Sequence, residues 1–118
     1  MKSQLENLIG KKVVRLDRQL DQVISINTLA PKNNIDLFTQ ISFEDYVLNI
    51  YNKFQLLNSS SLEELQGLCV KNTLENKNEI VLEFDKGINL KIDLTNEAYS
   101  GPEALSLYGP NNLIVVWN

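Results

Sequence analysis

The sequence predicts an α+β fold, rich in β-strand, built from two tandem repeats that form one pseudo-twofold domain. Three observations predict it. The chain lies on itself when slid by 57 positions; each half opens with a helix-start signal closed by a glycine; and period-two alternation of apolar residues fills the remainder of each half. The repeats run over residues 1–57 and 58–118, and the 118 residues suffice for one domain with a real core.

The slide needs no gaps. Leu5, Glu6, Leu8, Gly10 and Val13 fall on Leu62, Glu63, Leu65, Gly67 and Val70. Ile35-Asp36-Leu37 falls on Ile92-Asp93-Leu94, and Leu48, Tyr51 and Leu56 fall on Leu105, Tyr108 and Leu113. With Ser3 on Ser60 there are twelve identities, where ordinary composition gives roughly three or four by chance.

Each repeat starts with a short helix. Ser3 stands three before Glu6 and Ser60 three before Glu63, the spacing of a capping box. Gly10 and Gly67 come next, suited to a left-handed C-terminal cap. A helix this short depends on packing, and Leu5, Leu8, Leu62 and Leu65 supply the buried face. Asn58-Ser59-Ser60-Ser61 is the linker between the copies.

Strands succeed the helices. Lys12–Leu16 and Leu68–Lys71 are first strands. Ile80, Leu82 and Phe84 alternate with polar residues, Asp85-Lys86-Gly87 turns, and Ile88, Leu90, Ile92 and Leu94 return on the same face. In the first copy the matching pair is Val23–Ile26 with Ile35–Leu37, joined by a looser connection containing Pro31. Two more segments close each copy: Tyr46–Tyr51 with Phe54–Leu57, and Ala104–Tyr108 with Leu113–Trp117 around a Gly109-Pro110-Asn111-Asn112 turn. Leu113–Trp117 is apolar on both faces and reads as an interior strand, Trp117 as core and Tyr51 and Tyr108 as buried rings. About five strands per copy would give two packed sheets or a partly closed barrel.

Chemistry is sparse. Histidine is absent and Cys69 is alone, so a zinc site is not expected, and a Ser-His-Asp triad and an intrachain disulfide are excluded within this chain. Cys69 reads as a small buried hydrophobe. There is no glycine-rich phosphate loop, no EF-hand spacing and no apolar run long enough for a signal peptide or membrane span. No cofactor or metal is expected, and a reducing cytoplasm fits the single cysteine. The matched pair Asp36 and Asp93 is the residual route to hydrolysis, weighed against an outward position on a strand.

Charge is the feature that points outward. Residues 1–57 hold seven Lys/Arg and six Asp/Glu, a net +1; residues 58–118 hold four and nine, a net −5; together these give the chain's −4. The acidic half argues against nucleic acid or an anionic membrane as ligand and for a protein partner with a basic surface. Glu79, Glu83, Asp85 and Asp93 fall on the outer face of the second-copy hairpin, and Glu75, Glu97 and Glu103 flank it. Tyr99 lies in the polar loop after it, either as an interface anchor or folded back on the sheet. The matching first-copy positions, Gln22, Ile24, Ile26 and Thr28, are uncharged.

Phe84–Ile92, Gly101–Pro110 and Ile114–Trp117, with the Leu-x-Gly-x-x-Val opening of each copy, carry a family resemblance. The chain resembles immunity proteins of bacterial contact-dependent growth inhibition and related polymorphic toxin systems. The resemblance implies a cytoplasmic, non-enzymatic antitoxin that binds and neutralises a cognate toxin domain, often a nuclease. Its motif residues are turn glycines and core positions, so it carries no binding site over. The alternative is a non-catalytic structural or assembly adaptor, a homodimer formed through exposed sheet edges.

Overall fold

In a computed structural model, which describes residues 4–20, 37–99 and 102–118, the chain forms two antiparallel sheets. Nine strands are described: β1 (Val13–Leu20), β2 (Leu37–Phe43), β3 (Val47–Ile50), β4 (Phe54–Leu57), β5 (Val70–Glu75), β6 (Glu79–Phe84), β7 (Asn89–Asp93), β8 (Leu105–Gly109) and β9 (Leu113–Trp117). The five-stranded sheet runs β1-β2-β3-β8-β9 and the four-stranded sheet β4-β7-β6-β5. Period-two alternation sends Ile80, Leu82 and Phe84 of β6, and Leu48 and Ile50 of β3, into one hydrophobic cluster fed by both sheets.

The expected α-helices do not form. Gln4–Leu8 and Leu62–Leu65 are 3-10 turns, and the other described helical segments, Asp85–Gly87 and Asn96–Ala98, have three residues each. Some six residues between cap and glycine cannot sustain an α-helical ladder, whereas a 3-10 turn closes over three residues. The second turn is still capped, one residue later than the sequence spacing suggests. The Ser61 hydroxyl accepts from the Glu63 N–H at 3.2 Å, and the Glu64 carboxylate holds the Ser60 N–H at 3.2 Å and the Ser59 hydroxyl. Those bonds hold the Glu64 carboxyl below its ordinary range, the Ser59 hydroxyl contributing most. Ser3 lies outside the described residues.

Gly10 and Gly67 do take the left-handed conformation, both at φ +87°. They meet at the junction of the two sheets. The Gly10 N–H donates to the Val70 carbonyl at 2.8 Å, and the Gly67 N–H to the Val13 carbonyl at 2.8 Å. The Val13 N–H reaches the Leu68 carbonyl at 2.9 Å, and the Val70 N–H the Lys11 carbonyl at 3.1 Å. Each turn is thus stitched to the first described strand of the other half of the chain. Leu5, Leu8, Leu62 and Leu65 are buried beneath them.

The ladders of the two sheets share a register. Val13 pairs with Phe43 and Val70 with Phe84, each succeeded by a bulge, between Val13 and Arg15 and between Val70 and Asn72. Ile41 then pairs with Leu48, which pairs with Leu107. Leu82 pairs with Leu90, which pairs with Leu56. So β4 leaves β3 to complete the four-stranded sheet, and β8 leaves β7 to extend the five-stranded one.

Several sequence expectations change. β1 and β5 run longer than the sequence reading gives them, and β2 continues through Phe43, a stretch rich in strand-forming Phe, Thr and Ile that the sequence reading leaves unassigned. Val23–Ile26, Pro31, Ile35 and Asp36 lie outside the described residues, as do Gln22 and Thr28. The first half contributes four described strands, and the fifth expected one, Val23–Ile26, lies outside the described residues. The β6–β7 hairpin forms as expected, with Lys86 at φ 67° and Gly87 at φ 72° in its turn. Asn111 and Asn112, both at φ 62°, with the Leu113 N–H bonded to the Pro110 carbonyl at 3.3 Å, make the β8–β9 turn.

Among the described residues β9 is an edge strand, not an interior one. Ile114 is 62% exposed and Val116 41%. An apolar pattern on both faces reports side-chain chemistry and is silent about what lies beside the backbone, so it cannot separate an edge from an interior. Tyr108, expected buried, is 40% exposed on the same outer face, opposite Ile114. Tyr51 is half-buried, its ring 5.2 Å from that of Phe38. Trp117 packs against the core and sends its indole N–H to Glu75. Cys69 is half-buried, its N–H and carbonyl both bonded to Asp85.

Candidate functional site

The candidate site is the outer face of the four-stranded sheet. Register fixes its rows. Glu79 pairs with Asp93, Val81 with Lys91 and Glu83 with Asn89. Gln55 of β4 extends the Lys91 row on one side, and Leu74 of β5 extends the Val81 row on the other. Two carboxylates directly opposite one another repel. Lys91 relieves that repulsion, its Nζ lying 3.2 Å from the Glu79 carboxylate.

Asp93 is held by its own turn. Its Oδ1 accepts the Thr95 hydroxyl at 2.6 Å and the Thr95 N–H at 2.8 Å. The Thr95 hydroxyl, then the Thr95 N–H, lower its pKa, with smaller help from Lys53 and Lys91. The lowered pKa favours the ionised form, which suits a fixed negative charge. Beside it a shallow cleft of about 680 Å³ is lined by Lys53, Phe54, Gln55, Glu79, Lys91 and Asp93, among others.

The sequence-predicted residues divide. Glu79, Glu83 and Asp93 share the outer face, with Glu83 and Asp93 exposed. Glu97 is exposed on the Asn96–Ala98 turn just beyond β7. Glu75 is turned toward the other sheet, where its Oε2 accepts the Trp117 indole N–H at 2.8 Å. Asp85 closes the β6–β7 turn onto Cys69, whose N–H it accepts at 3.0 Å. Tyr99 is folded back, half-buried against the core. Glu103 is half-buried in the segment leading to β8. Asp36, the proposed catalytic partner of Asp93, lies outside the described residues.

Sequence reading misses Lys53. It lies outside the acidic hairpin but reaches the same end of the sheet, where its carbonyl accepts the Asp93 N–H at 3.0 Å. Only the β4–β7 pairing reveals this, and nothing local signals it. The exposed apolar Leu74, 53% exposed at the edge of the face, also emerges only from register.

Among the described residues, no three His, Cys, Asp or Glu side chains gather as a metal site, and no helix is long and apolar enough to cross a membrane. Comparison with family models, curated proteins and solved structures finds no match to this chain.

Proposed function

We propose that this chain is an immunity protein that binds a cognate toxin domain, a nuclease with a basic surface, and neutralises it by occlusion in the bacterial cytoplasm, with no cofactor of its own. The observation that carries this reading is the exposed acidic face. Glu79, Glu83 and Asp93 stand on one rigid sheet surface, and Glu97 lies just past its end. A nuclease needs a basic groove for its substrate, and carboxylates on one face complement the charge of such a groove. Carboxylates fixed on strands are already in place before encounter, so they speed association and select partners. Leu74 and Val81 on the same face offer the apolar contact that holds a complex once formed. Glu75, Asp85 and Tyr99 serve the fold in this reading.

The architecture proposed with it is a duplicated unit with reciprocal strand exchange. The unit is a 3-10 turn, a left-handed glycine and three meandering strands, with a fourth strand donated by the other copy. The paired bonds of Gly10 and Gly67 and the matched bulges support it. The offset between copies is then 57 from Val13 to Val70 but 41 from Ile41 to Leu82 and 42 from Leu48 to Leu90, by subtraction of the residue numbers.

The test is co-expression with the C-terminal domain of the large secreted protein encoded beside this chain. Survival of the cells and recovery of a complex is the expected outcome. Cell death with no complex would refute the immunity reading.

A further inference from the structure

β9 carries Ile114, at 62% the most exposed large apolar residue among the described residues. In an antiparallel ladder both polar groups of a residue point to the same neighbour, and the direction alternates along the strand. The Leu113 N–H turns into the hairpin toward Pro110, and the Trp117 carbonyl accepts the Ala104 N–H at 2.7 Å. Both face β8, so the N–H and C=O of Ile114 and Val116 face outward. No described strand lies beyond them.

Natural edges are protected by charge or by being very short, and the other three described edges fit one or the other. β1 carries the Arg15–Asp17 ion pair, β5 carries Lys71 and Glu75, and β4, itself uncharged, has only four residues and follows Lys53. β9, Leu-Ile-Val-Val-Trp, has no charge.

We propose that β9 docks a second copy of this chain, pairing antiparallel about Val115 so that Ile114 of each copy lies opposite Val116 of the other. This register is the one that the outward groups allow with apolar residues matched. It makes the two Ile114–Val116 positions hydrogen-bonded pairs and joins two five-stranded sheets into one. A twofold axis perpendicular to the sheet keeps Tyr108, Ile114 and Val116 of both copies on one outer face, forming a continuous apolar strip. A second copy is the favoured occupant because the edge is uncharged and self-complementary; a charged strand would set its charge among these apolar side chains. Pairing along five residues gives a small interface, so the dimer belongs in the weak, micromolar class. Each copy carries a net charge of −4, so salt screens their repulsion and strengthens the dimer. That sign is opposite to the one expected for docking to a basic toxin, and the two proposals stand or fall separately.

Sedimentation velocity on the full chain, up to high micromolar concentration and at low and high salt, tests it. The expected result is a concentration-dependent dimer, stronger at high salt and lost in Ile114→Lys and in Val116→Lys. Both positions are solvent-facing, and circular dichroism checks that the variants are folded. Amide exchange of the unaltered protein gives a second readout, in which the Ile114 and Val116 N–H groups gain protection as concentration rises. A monomer at every concentration, a dimer indifferent to both substitutions, or unprotected Ile114 and Val116 amides in a dimer would each overturn the proposal.

Discussion

The indole N–H of Trp117 donates to the Glu75 carboxylate at 2.8 Å, joining the last strand of one sheet to an edge strand of the other. An acid that sequence alone places among docking residues is therefore a clasp between sheets. Glu75→Ala removes the acceptor and is expected to cost about 1 kcal/mol of stability, a typical net value for one hydrogen bond. Glu75→Gln keeps an acceptor oxygen and should cost less. Urea unfolding monitored by the single tryptophan measures both. A Glu75→Ala protein as stable as the parent would show that the clasp contributes nothing.

Gly10 and Gly67 make a matched pair of tests for the duplicated architecture. A Cβ at either meets nothing within 4 Å, so the cost of alanine is backbone strain alone at φ +87°. Each substitution is expected to destabilise by about 1–2 kcal/mol, the cost of a left-handed conformation for a side chain. The two losses should agree, because the same bonds are made at both sites. A large loss at one position and none at the other, measured by denaturant unfolding, would contradict the equivalence.

Ser106 is fully buried on β8, and its hydroxyl has no hydrogen-bond partner among the described residues. Leaving such a group unsatisfied costs free energy, so Ser106→Ala is predicted to raise the stability by about 1 kcal/mol. Thermal melts of the two proteins give the comparison. A lower melting temperature for the alanine variant would mean that the hydroxyl is satisfied in solution.

Glu64 and Asp93 both titrate below their ordinary range in the folded chain. The unfolded chain therefore binds more protons in mild acid, and stability rises with pH through that region. The contribution is complete above the unfolded carboxylate value, about 4. It is lost as pH falls through the folded values. Thr95→Val removes the hydroxyl that does most to hold Asp93 and should move its titration upward, read by carboxyl NMR. An unmoved Asp93 titration would remove the turn as its cause.

The strands with clean alternation are legible in the sequence. Ile80, Leu82 and Phe84 point inward as their spacing predicts, and the Asp85-Lys86-Gly87 turn forms where glycine and alternation place it. The departures have physical causes. Local spacing cannot distinguish a 3-10 turn from a short α-helix, so Gln4–Leu8 and Leu62–Leu65 read as helices from sequence. Apolar composition does not reveal ladder position, so the edge strand β9 reads as interior. Of the candidate site, Glu79, Glu83 and Asp93 are readable from period two. Their neighbour Lys53 is not, because the β4–β7 pairing that brings it there is non-local.

The most direct measurement of the central claim is the association rate of this chain with the proposed toxin domain, recorded by stopped flow from low to high salt. The parent is compared with Glu79→Gln/Glu83→Gln, which removes two charges from the acidic face while keeping its shape. Electrostatic docking predicts a rate that falls steeply with salt for the parent, and a double variant that is slower at low salt and flatter across the series. A parent rate indifferent to salt, with the double variant associating as fast, would show that the acidic face is not where the partner binds.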